Sequence, residues 1–131
     1  MTTKKDIPLK IELLSDGEDS EFRIHSSKEI QSILRGIART TAFVALYYDN
    51  ENDFILTTLL GTDEQHVWLN VSPREADNRR ILSSHKIIFV SSHLQVKVQF
   101  VAHRIENAWF KNQNAFSLPI PNSLLHLQRR D

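Results

Sequence analysis

Arginines are the residues of this chain whose type and spacing best suit a binding role. Arg74, Arg79 and Arg80 cluster in a polar stretch that follows Ser72-Pro73. A guanidinium group presents paired N–H donors that match a phosphate or a carboxylate. We therefore consider these three arginines a possible surface for a partner, against the simpler interpretation that they are solubilising charges.

Catalytic chemistry is harder to assemble from this sequence. Six histidines could act as bases, but none stands at metal-ligand spacing from another histidine or carboxylate on a helix. The absence of cysteine excludes cysteine nucleophiles, thiolate metal sites and disulfides. Gly17, Gly36 and Gly61 are too far apart to form a phosphate-binding loop. We predict a protein that is not an enzyme and that has no catalytic residues, metal site or cofactor.

Composition limits the other classes of function. The length of 131 residues with 40% hydrophobic residues fits one domain with its own core. Sixteen basic residues balance sixteen acidic ones, which does not favour nucleic-acid binding. No apolar run approaches the roughly eighteen residues that span a bilayer, and the first ten residues lack a signal-peptide core. We expect a cytoplasmic protein without membrane insertion.

One helix is predicted near the N-terminus. Ser26 and Glu29 have the spacing of a capping box. The apolar residues behind them repeat with helical periodicity and form one stripe, consisting of Ile30, Ile33, Leu34, Ile37 and Ala38. The pattern predicts a helix that packs one face against a core and ends near Thr40-Thr41.

After this helix the hydrophobic pattern alternates with a period of two. Six strand candidates follow, over residues 42–48, 54–60, 66–71, 86–91, 94–102 and 115–120. The second is apolar on both faces and is expected to be buried, whereas Lys97 and Gln99 should give the fifth one wet face. A short helical turn is expected over 73–80, with Ser72 as its cap. The fold class is therefore mostly β, an all-β domain with one N-terminal helix, arranged as a small antiparallel split barrel.

Several segments resemble a known family. Residues 22–25, the helix and residues 45–48 are similar to the N-terminal domain of YcgR-type flagellar brake proteins, which belong to the PilZ family. Residues 116–121 and the ending Leu-Gln-Arg-Arg, at positions 127–130, are similar to the stretch that leads into the PilZ domain of these proteins. The resemblance covers roughly residues 22–131.

The resemblance gives the last arginines a role. PilZ domains bind cyclic di-GMP through an Arg-x-x-x-Arg motif and a later Asp/Asn-x-Ser-x-x-Gly motif. Arg130 matches the first arginine of this motif, and Arg129 the arginine that commonly precedes it. Because the rest of the site would follow Asp131, the ending looks like a cut inside a longer protein. The implied organisation is a flexible acidic tail over 1–21, a split-barrel domain over 22–121 and an interdomain linker over 122–131.

The implied function is that of a regulatory and interaction domain. In the full protein, cyclic di-GMP would bind through the downstream PilZ domain, and the protein would slow motility at the flagellar basal body by contacting motor proteins. Two alternatives remain open. One is a split-barrel oxidoreductase that binds flavin near Trp68, Trp109 and the arginines. The other is a stand-alone domain that binds an unrelated protein.

Overall fold

The computed structural model describes residues 9–128. The three helices in this part of the chain are α1 (Asp16–Phe22), α2 (Ser27–Thr40) and α3 (Glu75–Leu82). The nine strands in the same residues are β1 (Arg23–Ile24), β2 (Phe43–Tyr48), β3 (Asp53–Thr62), β4 (His66–Asn70), β5 (Ile87–His93), β6 (Val96–Ala102), β7 (Glu106–Phe110), β8 (Gln113–Pro119) and β9 (Leu124–Gln128).

All nine strands belong to one antiparallel sheet. Its order is β1-β9-β6-β5-β2-β3-β4-β8-β7, and each pair of neighbours is antiparallel. Tight turns join β5 to β6 and β7 to β8, and each uses two residues with positive φ. The prediction of a mostly-β antiparallel fold is confirmed, with more strands and helices than the sequence pattern indicated.

The helix α2 closes the core on the inner face of this sheet. The Ser26 hydroxyl accepts a hydrogen bond from the Glu29 N–H at 3.3 Å, as its capping position predicts. Ile30, Leu34 and Ile37 lie on the buried stripe. They pack with core residues of the strands, among them the stacked rings of Phe89 and Phe100, whose centroids are 4.5 Å apart.

The segment expected to be an acidic tail is ordered over residues 9–21, so this expectation was wrong there. Residues 16–22 form α1, and Ser15 and Glu18 make a complete capping box at its start. Asp19 accepts two hydrogen bonds from Arg23, at 2.6 and 2.8 Å, and this contact lowers the pKa of Asp19. The acidic residues stand in the first turn, where the helix dipole stabilises negative charge. They therefore promote a helix here.

The face of β6 that carries Lys97 and Gln99 was expected to be exposed to water, but it is covered by an N-terminal segment, so this expectation was wrong. Lys97 is 8% exposed and Gln99 is 7% exposed. Both side chains contact residues 10–12, which run across the outer face of the sheet without forming a strand. We call residues 9–12 the strap.

The expected interdomain linker differs from the structure in its first part. Residues 124–128 form β9, which lies between β1 and β6 in the sheet. Leu124 and Leu125 are buried there. The chain therefore remains part of this domain up to the last described residue, Gln128.

The helix α3 starts later than its predicted cap. Arg74, not Ser72, is the N-cap residue, and its side chain makes no capping hydrogen bond. The buried side chain of Asn78 instead holds the loop before the helix: its Oδ1 accepts from the Ser72 N–H at 2.8 Å, and its Nδ2 donates to the Ser72 carbonyl at 2.9 Å. This pair of bonds fixes α3 to the end of β4.

Candidate interaction surface

Arg80, predicted as part of a partner surface, is already paired within the domain. Its Nη2 donates to Asp53 at 2.6 Å and to Asp49 at 2.8 Å, and its guanidinium lies 5.2 Å from the centre of the Tyr48 ring. The hydrogen bonds to Asp53 and Asp49 raise the pKa of Arg80 above its ordinary value. The two carboxylates neutralise this guanidinium and hold it against the β2–β3 turn.

The other two arginines of this group are exposed. Arg74 lies at the opposite end of α3, with its Nε 3.6 Å from a carboxylate oxygen of Asp77. Arg79 is exposed in the last turn of the helix. The depression beside Arg80 has a volume of about 200 Å³, below the usual size of a small-molecule pocket. Because Asp49 and Asp53 already neutralise the Arg80 guanidinium that lines it, this depression is poorly suited to hold an anion.

Arg129 and Arg130, the predicted ligand residues, lie outside the described residues. They follow directly on β9, whose Gln128 pairs with Val96 of β6. The described part of the chain thus ends on an interior strand of the sheet.

An exposed apolar patch on β2 and β3 is the surface that the sequence pattern missed. Phe43 is 64% exposed, Leu56 is 55% exposed and Phe54 is 36% exposed. Register places Phe43, Ala45 and Tyr47 opposite Thr58, Leu56 and Phe54, so all six residues share one face. The expectation that β3 is buried on both faces was wrong, because α2 covers only the inner face.

We call Phe43, Phe54 and Leu56 the apolar patch. Its edge is formed by Tyr47, whose ring centre lies 5.1 Å from that of Phe54. Grouped apolar side chains on a surface commonly mark a site of contact with another protein.

The two tryptophans suggested for a flavin site face opposite sides of the sheet. Trp68 pairs with Ser117 of β8, whereas Trp109 pairs with Asn114, three positions away on the same strand. Residues an odd number apart on a strand point to opposite faces. The Trp68 ring also stacks on Phe110, with ring centres 4.8 Å apart. These two indoles do not converge on one ligand.

The described residues offer neither a metal-binding cluster nor a membrane-spanning helix. Within residues 9–128, no group of three or more His, Cys, Asp or Glu side chains is placed to hold a metal ion. No helix in the same part of the chain has the length and apolar content to cross a bilayer.

Burial lowers the pKa of His126 on β9, although the nearby carboxylate of Glu29 partly opposes this shift.

Comparison with known families decides the assignment. The model of the flagellar regulator YcgR, PilZN domain, matches residues 22–126. The chain belongs to this family. The predicted relationship is therefore confirmed, and the comparisons give no support to the flavin-binding alternative.

Relatives named flagellar brake protein YcgR extend the PilZN match. The protein from Janthinobacterium sp. (strain Marseille) is 32% identical over 124 residues, which are 91% of this chain and 49% of the relative. The protein from Nitrosospira multiformis is 35% identical over 115 residues, which are 86% of this chain and 45% of the relative. The chain thus spans about half the length of these relatives.

Solved structures agree with the PilZN fold. The YcgR-N domain of YcgR from Escherichia coli matches with a TM-score of 0.76 at 16% identity, over 83% of this chain and 97% of that one. YcgR in complex with c-di-GMP, also from Escherichia coli, matches with a TM-score of 0.79 at 19% identity, over 85% of this chain and 48% of that one. At these identities the matches establish the fold.

Proposed function

We propose that this PilZN domain is the regulatory and interaction domain of a cyclic-di-GMP-responsive flagellar brake. The observation that carries the proposal is the family match over residues 22–126, together with relatives that are named flagellar brake proteins. A solved relative of similar fold is a complex with c-di-GMP. In this proposal the domain is not an enzyme, and it acts in the cytoplasm at the flagellar basal body.

Ligand binding is assigned to a downstream PilZ domain together with Arg129 and Arg130. Micromolar affinity corresponds to about −8 kcal/mol. A charge-assisted hydrogen bond contributes roughly 1.5–3 kcal/mol, from which the loss of side-chain entropy must be subtracted. Two arginines without a wall that stacks the guanines and without further phosphate donors fall short of this value. The domain alone is therefore proposed not to sense the messenger.

The position of β9 suggests how binding would reach this domain. Arg129 follows a strand that pairs with both β1 and β6. A ligand that holds Arg129 and Arg130 against a second domain would fix that domain relative to this sheet. Binding would then change which faces of the two domains are accessible, a rearrangement of domain packing.

We assign the contact with a flagellar motor protein to the apolar patch in preference to the arginines of α3. Asp49 and Asp53 already neutralise Arg80, whereas Phe43 and Leu56 are exposed next to each other on one sheet face. Burial of such side chains in an interface stabilises it without the cost of removing charges from water.

Measurements of swimming speed test both the proposed braking function and the assignment of the motor contact to the apolar patch. In a strain that lacks the gene, the full-length gene should restore braking, and Leu56→Ser should abolish it with the protein level unchanged. Arg79→Ala, an exposed change on α3, is the matched control and should brake normally. Normal braking by Leu56→Ser together with loss of braking by Arg79→Ala would move the contact to α3. Failure of the unaltered gene to slow swimming at high cyclic di-GMP would refute the proposed function.

A further inference from the structure

The strap packs its apolar side against the outer face of the sheet. Leu9 is 7% exposed and contacts a small cluster that is separate from the main core, formed by Ala45, Ile88 and Val90. Ile11 and Tyr47 pack against the edge of this cluster. This cluster adjoins the apolar patch, because Ala45 pairs directly with Leu56.

Polar side chains of the sheet bind the backbone of the strap. The Tyr47 hydroxyl donates to the Leu9 carbonyl at 2.9 Å, and Lys97 Nζ donates to the Lys10 carbonyl at 2.9 Å. Both donors bind backbone carbonyl oxygens, which are the same whatever the side chains of the strap. Any extended peptide could therefore accept these two hydrogen bonds.

Glu12 supplies the contacts that depend on sequence and register. Its carboxylate lies 2.7 Å from Lys97 Nζ, with the lysine side chain only 9% exposed. Its backbone N–H donates to the Gln99 side-chain carbonyl at 2.8 Å, and the Gln99 amide donates back to the Glu12 carbonyl at 3.2 Å. The Gln99 side chain thus makes the two hydrogen bonds, one accepted and one donated, that a paired residue of a neighbouring strand would make with its backbone. The site thus holds a carboxylate three residues after an apolar side chain.

The strap is attached to the sheet through side chains and takes part in no strand pairing within residues 9–128. Residues 9–15 have neither helical nor strand structure. The bonds described above run through side chains of β2 and β6, and the backbone ladders of these strands with β5 do not involve the strap. Water can solvate Lys97 and Gln99 once the strap has left, so the main cost of a vacant site is the exposure of the apolar cluster of Ala45, Ile88 and Val90.

We propose that the outer face formed by β2, β5 and β6 is a binding site for an extended peptide with an apolar residue followed three positions later by a carboxylate. The strap occupies this site in cis and can be replaced by such a segment of another protein. Charge complementarity with the buried Lys97 fixes the class of ligand. The inference does not depend on the proposed function.

Release of the strap is tested first on the unaltered chain. Trypsin should cleave after Lys10 at least about tenfold faster than after Arg35 in α2, because local opening is more frequent than global unfolding. Lys97→Met should raise the rate of cleavage after Lys10 about tenfold above that of the unaltered chain, since it removes a charge-assisted bond. The matched control Lys86→Met, which removes an exposed pair with Glu51, should leave this rate unchanged. Cleavage after Lys10 and Arg35 at one common rate would overturn the proposal.

Replacement is tested with a fluorescein-labelled peptide that has the sequence of residues 6–14. The receptor is the full chain with Leu9→Asp and Glu12→Lys, which removes the strap from its site. We expect saturable binding of this peptide by fluorescence anisotropy. A peptide with Glu12→Gln should bind at least about tenfold more weakly, and adding Lys97→Met to the receptor should abolish binding of the unaltered peptide. Absence of binding would overturn the proposal. So would failure of this receptor to fold by circular dichroism, because a replaceable segment is not required for the fold.

Discussion

Asn78 should be a main determinant of how α3 is attached to the sheet. Asn78→Ala removes the partners of both the Ser72 N–H and the Ser72 carbonyl, which Asn78 now binds at 2.8 and 2.9 Å. A buried polar group without a partner costs about 1–3 kcal/mol. Ser72 is 8% exposed, so water can reach it only in part, and we expect a total loss of about 3 kcal/mol. For a domain of this size the melting temperature should fall by about 10 °C.

Urea and thermal unfolding followed by circular dichroism measure this loss. Arg79→Ala, an exposed change on the same helix, should alter the free energy of unfolding by less than about 0.5 kcal/mol. Ser72→Ala removes only a hydroxyl that accepts from the Arg74 N–H, and it should cost about 1 kcal/mol or less. If Ser72→Ala proved as costly as Asn78→Ala, the hydroxyl and not the amide would hold the helix, and the reasoning would be refuted.

Three further predictions concern the core, the pH response and the surface. Leu34→Ala should lower the free energy of unfolding by about 2–5 kcal/mol and Leu56→Ala by less than about 1 kcal/mol, since only Leu34 is fully buried; equal losses in urea unfolding would contradict the assigned faces. Because burial lowers the pKa of His126, the unfolded chain binds its proton more readily, and stability should fall as pH drops below about 6.5. Unfolding of His126→Gln should lack this component between about pH 7 and pH 5.5, and an identical pH profile for both proteins would refute the assignment. Arg80→Ala should destabilise far less than Leu34→Ala, with a loss that shrinks as salt is added, because its ion pairs are exposed; a large, salt-independent loss would show a structural role that the exposed geometry does not explain.

Local patterns account for the parts of the fold that the sequence predicted well. Ser26 and the apolar stripe from Ile30 onwards define α2 within one stretch of chain. The alternation in β2, β4 and β6 likewise depends on neighbouring residues. Such elements need no knowledge of distant partners, and the structure places them within a few residues of the predicted bounds.

Contacts between distant residues account for what the sequence did not predict. Glu12 and Gln99 are separated by 87 positions, and no local pattern indicates that one covers the other. Exposure of Leu56 depends in the same way on where α2 and the strap pack, because the residue pattern of β3 is equally apolar on both faces. The helix α1 is different: its capping box at Ser15 and Glu18 is a local signal, whereas the prediction of a flexible tail depended on the acidic composition alone.

The proposed site residues follow the same division. Arg80 was recognised from its type and neighbours, yet its pairing with Asp49 and Asp53 arises from a turn about thirty residues earlier in the chain. Arg129 and Arg130 owe their assignment to the family motif, and it remains a prediction. The apolar patch depends on the pairing of β2 with β3, because this register places Phe43 and Leu56 on one face.

Titration calorimetry with cyclic di-GMP tests the central claim most directly. Residues 1–131 should give no measurable binding heat, because the proposed site needs a second domain. A protein in which the proposed PilZ domain completes the site should bind, and Arg130→Ala in that protein should weaken binding at least about tenfold. Tight binding to residues 1–131 alone would contradict the account.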